Sequence, residues 1–378
     1  KTLPVGLQLL VFGDIYPFIT PTDINGQERR AEAGRKISEA GRRSMERILV
    51  PPGSIAYVCI ASVGKMCVVD RPSFTNQQIN SVIVDEAKFD PAFVYYALRE
   101  ATPRIKSMVG GAATPIINKS TFSEISIRVP ELLAQRRIAS NLSAYDNLIE
   151  NNTRRIAILE EMTRRIYEEW FVRFRFPGHE GVRMVESDIE RMPEDFKVTT
   201  LGNVADIQWG DTSKTKAAYV TDGYDAFSAS GLDGRMATFD YNKDGIVLSA
   251  IGARCGLTWY ARGKWSCIKN TIRFWSSDLN AACNEFLFLT TFGIEFWPRR
   301  GAAQPFISLG DAKAIQIALP PCKLMSQFKV IVGPMLALSA KLEQANANLR
   351  TTRDMLLPKL ISGELDVSAM PAPESVAA

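Results

Sequence analysis

The sequence of 378 residues contains one histidine, His179, and six cysteines. Catalytic sets in which histidine activates a serine or cysteine, and zinc sites that use histidine, need that residue close to its partners. His179 follows the turn Pro177-Gly178 in a polar stretch, so we expect it at the surface of a linker. The cysteines form no Cys-x-x-Cys pair, and we interpret them as small core residues in a reducing cytoplasm: Cys59, Cys67, Cys255, Cys267, Cys283 and Cys322.

Other signatures are also absent. Gly64-Lys65 and Gly263-Lys264 lack the leading glycine and the following hydroxyl residue of a phosphate-binding loop. The sequence has no Asn-Pro-Pro-aromatic or Asp-Pro-Pro-aromatic methyltransferase signature, and no apolar run is as long as a membrane span. The sequence therefore predicts a protein that is not an enzyme, carries no metal or cofactor and has no membrane partner.

Residues 134–171 show the most regular pattern in the chain. Apolar residues recur in alternating steps of four and three once Asn152 and Thr163 are included, which is the period of a coiled coil. A helix of about 38 residues spans roughly 57 Å, which is long enough to separate or clamp two domains. An ordinary core helix is the alternative. The predicted seam positions are Ile138, Leu142, Tyr145, Ile149, Ile156, Leu159, Ile166 and Trp170.

A second stretch near the C-terminus repeats this spacing and provides a partner for the first helix. We expect Pro334 to kink or restart the second helix, because proline lacks an amide donor and clashes with the preceding turn. The predicted seam positions of this helix are Ile331, Met335, Leu338, Leu342, Ala345, Leu349, Thr352 and Leu356.

The helices belong to a longer tandem repeat. Residues 111–117, Gly-Ala-Ala-Thr-Pro-Ile-Ile, correspond to Gly-Ala-Ala-Gln-Pro-Phe-Ile at 301–307. In the same register, apolar residues at every second position predict strands that end at Pro130 and Pro320. Each half therefore has the order globular unit, strand, proline, long helix. Upstream matches pair Gly53 with Gly245, Gly64 with Gly256, and Asn80-Ser81-Val82 with Asn270-Thr271-Ile272.

This repeat predicts an α+β fold with two globular domains and two long helices. The stretch from Thr200 to Ile207 is a predicted leading strand of the second domain and has no counterpart before Lys1, so we expect the first domain to lack its N-terminal strand. The predicted segments are 1–130 (first domain), 131–176 (central helix), 177–194 (linker), 195–320 (second domain), 321–366 (C-terminal helix) and 367–378 (disordered tail).

Short apolar runs in the first domain predict strands at Ile55–Ile60, Cys67–Val69 and Ser81–Val84, followed by a helix near Pro91–Glu100. The arginine-rich stretch 27–47 predicts a polar helix or loop. Because the second domain is rich in glycine and aromatic residues, we expect it to consist mainly of strands.

Loops of both domains combine Arg and Lys with Asn, Gln, Ser and aromatic residues. Arg and Lys bind phosphates or guanine edges, and Asn or Gln binds adenine through two hydrogen bonds. A solvated surface charge is the alternative for any one residue, and the net charge of +4 is too small to decide. Because similar loops occur twice, we expect two recognition surfaces for a bipartite site. The candidate DNA-binding residues are Arg71, Gln77, Gln78, Lys106, Lys119, Arg254, Lys269, Asn270, Arg299 and Arg300.

Three motifs carry a family resemblance. They are the C-terminal Pro-Lys-Leu-Ile-Ser-Gly-Glu-Leu at 358–365, the central Trp-Phe-Val-Arg-Phe-Arg-Phe-Pro-Gly at 170–178, and Pro130 followed by Gln-Arg-Arg-Ile at 135–138. With these motifs, and with segments 17–24 and 210–231 that are similar to parts of its target-recognition domains, the chain resembles the specificity (S) subunit of type I restriction–modification systems. At the second helix, Gln327-Phe328-Lys329 stands where that family has a basic pair.

The resemblance implies two target-recognition domains, each recognising one half of an asymmetric, interrupted double-stranded DNA sequence. It implies that the conserved helices form an antiparallel coiled coil that sets the distance between the half-sites. Two modification subunits are expected to dock around the helices and carry S-adenosylmethionine, and restriction subunits are expected to add ATP- and Mg-dependent translocation and cleavage. The chain itself would supply specificity in the cytoplasm, without a cofactor of its own.

Two other functions remain open. One is a coiled-coil scaffold that joins two protein-binding domains, which predicts no salt-dependent binding to random duplex DNA. The other is an enzyme with motifs unlike those considered above. Methylation of DNA by the purified chain alone, in the presence of S-adenosylmethionine, would favour it.

Overall fold

The computed structural model describes residues 12–26, 28–109, 114–189, 191–279 and 281–368. The chain divides into two compact units, each considered by itself below. Unit 1 comprises Lys1–Arg154 and Leu342–Ala378, and unit 2 comprises Arg155–Lys341. Both boundaries fall inside long helices, whereas the sequence predicted each helix as a separate segment. Most of the predicted tail 367–378, and the Gly-Ala-Ala of the first repeat motif, lie outside the described residues.

The elements of unit 1 alternate short strands with helices. In chain order they are β1 Phe12–Gly13, β2 Tyr16–Ile19, β3 Lys36–Ile37, α1 Glu39–Ser44, β4 Ile55–Val58, β5 Met66–Val68, β6 Phe74–Thr75, β7 Ile79–Val82, α2 Pro91–Ser107, α3 Lys119–Ser123 and the first part of α4 Leu132–Tyr167. The predicted strands near residues 55, 67 and 81 and the predicted helix at Pro91 are confirmed, with shifted ends.

Strand β4 is the centre of unit 1. It pairs antiparallel with β5 and β7, and a second sheet has the order β1-β3-β2-β6, in which β2 and β6 run parallel. All four residues of β4 are buried, and Phe93 and Tyr96 of α2 belong to the apolar cluster around it. Helix α2 begins after Asp90, whose side chain accepts a hydrogen bond from Phe93 N at 2.9 Å, with Pro91 in its first turn.

The elements of unit 2 follow a similar order with longer strands. They are β8 Met184–Val185, β9 Met192–Pro193, β10 Lys197–Thr200, α5 Leu201–Val204, β11 Ala205–Trp209, β12 Tyr224–Ser228, β13 Gly231–Met236, β14 Tyr241–Asn242, β15 Gly245–Ser249, β16 Thr258–Ala261, β17 Lys264–Cys267, β18 Thr271–Ser276, α6 Asn284–Thr290, α7 Leu309–Ala314, β19 Gln316–Leu319 and the first part of α8 Cys322–Ser362.

Besides the short β8–β9 hairpin, the described part of unit 2 contains three sheets. The first, β11-β18-β15-β16, is antiparallel, the second, β13-β12-β17-β14, contains the parallel pair β12–β17, and the third consists of β10 and β19. Aromatic residues close the core at the end of α4, where Phe171 lies 5.1 Å from Phe286 and 4.8 Å from Phe328 between ring centroids. The central Trp-Phe motif therefore supplies core contacts of unit 2.

The tandem repeat is visible in the backbone hydrogen bonds. In unit 1, Ile117 N donates to Cys59 O just after β4, at 2.9 Å. In unit 2, Ile307 N donates to Ala250 O just after β15, also at 2.9 Å. Since Ile117 and Ile307 end the two copies of the Gly-Ala-Ala motif, equivalent segments close equivalent sheets.

Two predicted strands differ from the structure. Residues 125–130 form no strand, whereas their counterpart β19 pairs with β10 in unit 2. The described part of unit 1 contains no equivalent of β10, so this segment lacks a partner there. The predicted single strand from Thr200 to Ile207 is instead the end of β10, the helical turn α5 and most of β11.

The long helices are more continuous than the sequence suggested. Helix α4 begins at Leu132 and passes at Tyr167 into a π-helical turn, Glu168–Val172. Helix α8 is unbroken at Pro334, so the expected restart is wrong. The carbonyl that loses its hydrogen bond to Pro334 belongs to Val330, which is 75% exposed, so water can bind it.

The predicted linker 177–194 is folded onto unit 2. It contains a short 3₁₀ turn at His179–Gly181 and the hairpin of β8 and β9. Met192 of this hairpin is buried in the core cluster of unit 2, and Met184 packs against the same cluster. Apolar side chains within a polar sequence therefore attach this segment to the second globular domain.

Candidate functional site

The predicted recognition residues of unit 2 meet where strand β15 ends. We call residues 250–256, 268–270 and 300–306 the loop cluster of unit 2. Ala250 N donates to Asn270 O at 3.0 Å, and Ile251 forms a β-bridge with Phe306. Phe306 in turn exchanges backbone hydrogen bonds with Arg300. These bonds bring three loops that are distant in sequence to one end of the sheet.

Arg254, Lys269 and Asn270 are exposed polar residues of this cluster. Arg254 Nη1 donates to Ser230 O at 2.7 Å, which fixes one end of the guanidinium. Asn270 has φ 68°, a left-handed conformation that Asn adopts more readily than most residues. Among the described residues neither Arg254 nor Lys269 has a carboxylate within 4.0 Å. Both cations are therefore available for an anion.

Arg299 and Arg300 are engaged differently. Arg299 forms an ion pair with Glu295 at 3.3 Å, and Arg300 pairs with Asp311 at 2.5 Å. Hydrogen bonds from Ser308, and secondarily the charge of Arg300, lower the pKa of Asp311. Both arginines are therefore paired with carboxylates of the protein itself.

Unit 1 has an equivalent loop cluster, residues 59–64, 76–80 and 114–119, at the end of β4. Cys59 N donates to Gln78 O at 2.8 Å, and Lys119 follows Ile117 by two residues on the other side of Cys59. A Cβ atom at Gly64 would lie 2.8 Å from Lys106 Cε, so that lysine also borders the cluster. Gln77, Gln78 and Lys119 therefore belong to the three segments of this cluster, and Lys106 borders it.

Arg71 is not part of this group. It lies between β5 and β6, where Val69 N donates to Ser54 O just before β4 begins. Because β4 and β5 run antiparallel, this is the opposite end of β4 from Gln78. The structure thus separates two residues that we expected to act on the same half of the target.

Two residues near this cluster were not among the predicted ones, Trp209 and Lys214. Trp209 ends β11, is partly exposed and pairs with Ile272, which follows Asn270 by two residues. The backbone carbonyl of Lys214 accepts a hydrogen bond from Lys269 N at 3.4 Å, and its ammonium pairs with Asp211 at 3.4 Å. The available signal for Trp209 was an aromatic residue directly before Gly210.

Five of the six cysteines are buried, as expected, but Cys322 at the start of α8 is exposed. Burial raises the pKa of Cys267 to about 11 and of Cys67 and Cys283 to about 12, so these thiols stay protonated. Within the described residues, no cluster of three or more His, Cys, Asp or Glu side chains could hold a metal ion. No described helix is long and apolar enough to cross a membrane.

Most of the predicted seam is buried or partly buried within its own unit. In unit 1, Ile138, Leu142, Ile149 and Leu342 are buried. The partly buried predicted residues are Tyr145, Leu349 and Leu356 in unit 1 and Ile156, Leu159, Ile166 and Met335 in unit 2.

The structure corrects the predicted seam at Leu338. It is exposed, and its neighbour Ser339 is buried instead. Asn346 and Arg353 of α8 are also buried, and each lies one position after a predicted seam residue, whereas the predicted Leu342 is itself buried. The prediction continued a fixed three-four spacing, which does not show which neighbouring position on α8 faces the opposite helix.

Contacts in unit 1 show that α4 and α8 run antiparallel there. Arg353 Nη1 donates to Asp146 Oδ1, and Asn152 Nδ2 donates to Asn346 Oδ1 at 2.9 Å. The contact position therefore moves forward along α4 as it moves back along α8. The antiparallel pairing implied by the family resemblance is present in this unit.

Comparison with known proteins gives consistent matches. A model of the type I restriction modification DNA specificity domain matches the chain twice, at residues 9–161 and 193–344. The MjaIX type I restriction enzyme specificity subunit of Methanocaldococcus jannaschii is 26% identical over 389 residues, covering 95% of this chain and 88% of the relative. The HindI specificity subunit of Haemophilus influenzae is 34% identical over 148 residues, 37% of this chain and 32% of its own length.

The fold agrees with a solved structure. The crystal structure of the type I restriction–modification S subunit from M. genitalium matches with a TM-score of 0.62 at 18% sequence identity, covering 95% of this chain and 91% of that one. The predicted α+β class, with two target-recognition domains in tandem and two long helices, is confirmed. The chain therefore belongs to the family of type I restriction–modification DNA specificity subunits, and it is a non-catalytic DNA-recognition subunit.

Proposed function

We propose that each loop cluster recognises one half of a bipartite double-stranded DNA target. The observation that carries this proposal is the equivalence of the two clusters. The same backbone hydrogen bonds, Ile117 N to Cys59 O and Ile307 N to Ala250 O, place polar loops at the ends of β4 and β15. Two similar surfaces in one chain suit a target with two separate parts.

The chemistry of the clusters fits base and phosphate contacts. In unit 2, Arg254 and Lys269 are exposed cations, and Asn270 offers an amide that can form two hydrogen bonds with adenine. Trp209 adds an aromatic face that can stack on an unpaired or distorted base. In unit 1, Gln77 and Gln78 supply the amides, and Lys106 and Lys119 supply the positive charge. Different side chains at equivalent places explain how the two halves of a target differ in sequence.

The surfaces of α4 and α8 support docking of partner subunits. Large apolar side chains are exposed on these helices, and a bound partner would remove them from water, which is favourable. In unit 1 they are Leu148 and Met355, and in unit 2 Ile158, Met162 and Val330. We infer that two modification subunits bind here, bringing S-adenosylmethionine, and that restriction subunits add ATP and Mg in the cytoplasm. The helices would then also set the spacer between the half-sites.

A binding experiment with and without partners tests this function. The net charge of +4 is too small to neutralise a long phosphate track, so the isolated chain should bind duplex DNA weakly. Modification subunits should raise the affinity at one fixed salt concentration and produce site-selective methylation. Equal affinity with and without them would contradict the proposal. Complete absence of salt-dependent binding in both cases would favour the protein-binding scaffold.

A further inference from the structure

Unit 1 contains a buried ion pair inside the helix seam. Asp146 of α4 and Arg353 of α8 are joined through Nη1 and Oδ1, and their side chains are 6% and 1% exposed, respectively. The second carboxylate oxygen of Asp146 accepts a hydrogen bond from the Tyr96 hydroxyl. A charged group so fully removed from water is stable only while its partners stay in place. The pair therefore depends on one alignment of the two helices.

A second polar contact lies further along the same seam. Asn152 Nδ2 donates to Asn346 Oδ1 at 2.9 Å. Asn346 is buried, and its Nδ2 lies 3.3 Å from Thr153 Oγ1 and 3.4 Å from Ile149 O. The side-chain amide of Asn346 therefore has hydrogen-bond partners at three positions of the opposite helix, namely Ile149, Asn152 and Thr153. Buried amides of this kind select one register of a coiled coil at a cost in stability.

We propose that the ion pair and the asparagine pair are positioning groups that fix the register of α4 against α8, and thereby the DNA spacer that the complex prefers. The first part stands on the contacts in unit 1, and the second rests on the proposed function. Apolar seam residues recur every seven positions, so their contacts alone tolerate a slip by one heptad. Such a slip places Arg353 opposite Ala139 or Thr153, neither of which carries a charge, and leaves Asp146 without its cation.

Tyr96 extends the same network to the globular part of unit 1. It belongs to α2, which packs on the central strand β4. Burial, and secondarily the charge of Asp146, raise the pKa of Tyr96, so its hydroxyl remains a proton donor. One carboxylate therefore receives contacts from the recognition domain and from the opposite helix. A change of register would disturb both contacts at once.

The test compares the parent with an apolar variant in which both polar contacts are replaced. Apolar replacement of a whole buried pair preserves or raises stability, so this variant separates register from folding. The variant carries Y96F, D146L, N152L, N346L and R353M. A matched control, R154Q, removes the exposed Arg154–Glu150 ion pair of the same helix and keeps the Arg30–Glu150 pair.

Disulfide crosslinking measures the register without DNA. In a Cys322→Ser background, cysteines at 142 and 357 lie one helical turn beyond Asp146 and Arg353 and report the native register. Cysteines at 142 and 350 report a slip of one heptad. In the apolar variant we expect the yield of the 142–350 crosslink to rise about tenfold or more over the parent, because the slipped register no longer leaves a buried charge unpaired. The control should match the parent. A single native register in the apolar variant would overturn the proposal.

Selection of target sites from DNA with varied spacers, using each chain with its modification subunits, tests the second part. The parent should select one spacer and the apolar variant a broader set. Slipped crosslinks with an unchanged spacer would overturn the link between register and spacer. Failure of the parent complex to select any site would overturn the proposed function, while the crosslinks would still decide the register.

Discussion

Replacing Arg353 with methionine is expected to destabilise unit 1 by about 3–5 kcal/mol. The methylene stem of the side chain is retained, but Asp146 loses the cation that faces it in the seam. Burial alone would lower the pKa of Arg353, but the neighbouring Asp146 charge raises it, so the guanidinium stays charged at neutral pH. The substitution thus leaves one buried charge without compensation.

The size of the effect follows from what remains around Asp146. The Tyr96 hydroxyl still donates to Oδ2, which compensates part of the loss and favours the lower end of that range. Removing both charges with Asp146→Leu and Arg353→Met should restore most of the stability, because no unpaired charge is left. The asymmetry between the single and the double variant distinguishes a desolvated charge from simple loss of packing.

Hydrogen exchange provides the measurement, and tryptophan fluorescence provides an internal control. All six tryptophans lie in unit 2, so a urea transition followed by fluorescence reports that unit and should not move. Amides of α2 in unit 1 should exchange roughly a hundredfold or more faster in Arg353→Met, since each 1.4 kcal/mol is a factor of ten. Equal exchange in the single variant and the parent would mean that Asp146 does not need Arg353 as its cation.

Three further outcomes are expected. Arg254→Ala should weaken recognition of one half-site by about 1–3 kcal/mol and Gln78→Ala the other, with Arg71→Ala close to neutral; loss of the same half-site from the first two would contradict the assignment. Deleting one heptad from both long helices should shorten the preferred spacer by about three base pairs and weaken binding, since about 10 Å of helix is removed. An unchanged spacer in site selection would show that the helices do not set the distance between the half-sites. A maleimide should label Cys322 alone in the native protein, and mass spectrometry showing rapid labelling of Cys67 would contradict the burial described above.

The long helices and the tandem repeat were predictable because both are periodic. Steps of three and four residues, and a motif that recurs after 190 positions, are recorded directly in the order of residue types. The exact positions of the helix seam could not be predicted, because Ser339 and Arg353 are buried although neither is apolar. Their burial depends on partners on another element, which a pattern along one helix does not contain.

The recognition residues show the same limit. Arg254 and Asn270 were chosen for their chemistry, and the structure brings them together through the hydrogen bond from Ala250 to Asn270. Arg71 was chosen on the same grounds, but the antiparallel course of β4 and β5 carries it to the other end of the sheet. Arg300 is occupied by Asp311, which follows it by eleven positions. The sequence shows the type of each candidate residue, but which of them lie close together depends on the order and direction of the strands.

If each globular domain recognises its own half of the target, exchanging one domain should change only that half. The most direct measurement is to map methylated sites for the complex containing this chain, and for a complex in which residues 195–320 are replaced by the corresponding domain of the M. jannaschii relative. We expect one half of the methylated sequence to change while the other half stays the same. A change in both halves, or in neither, would contradict it.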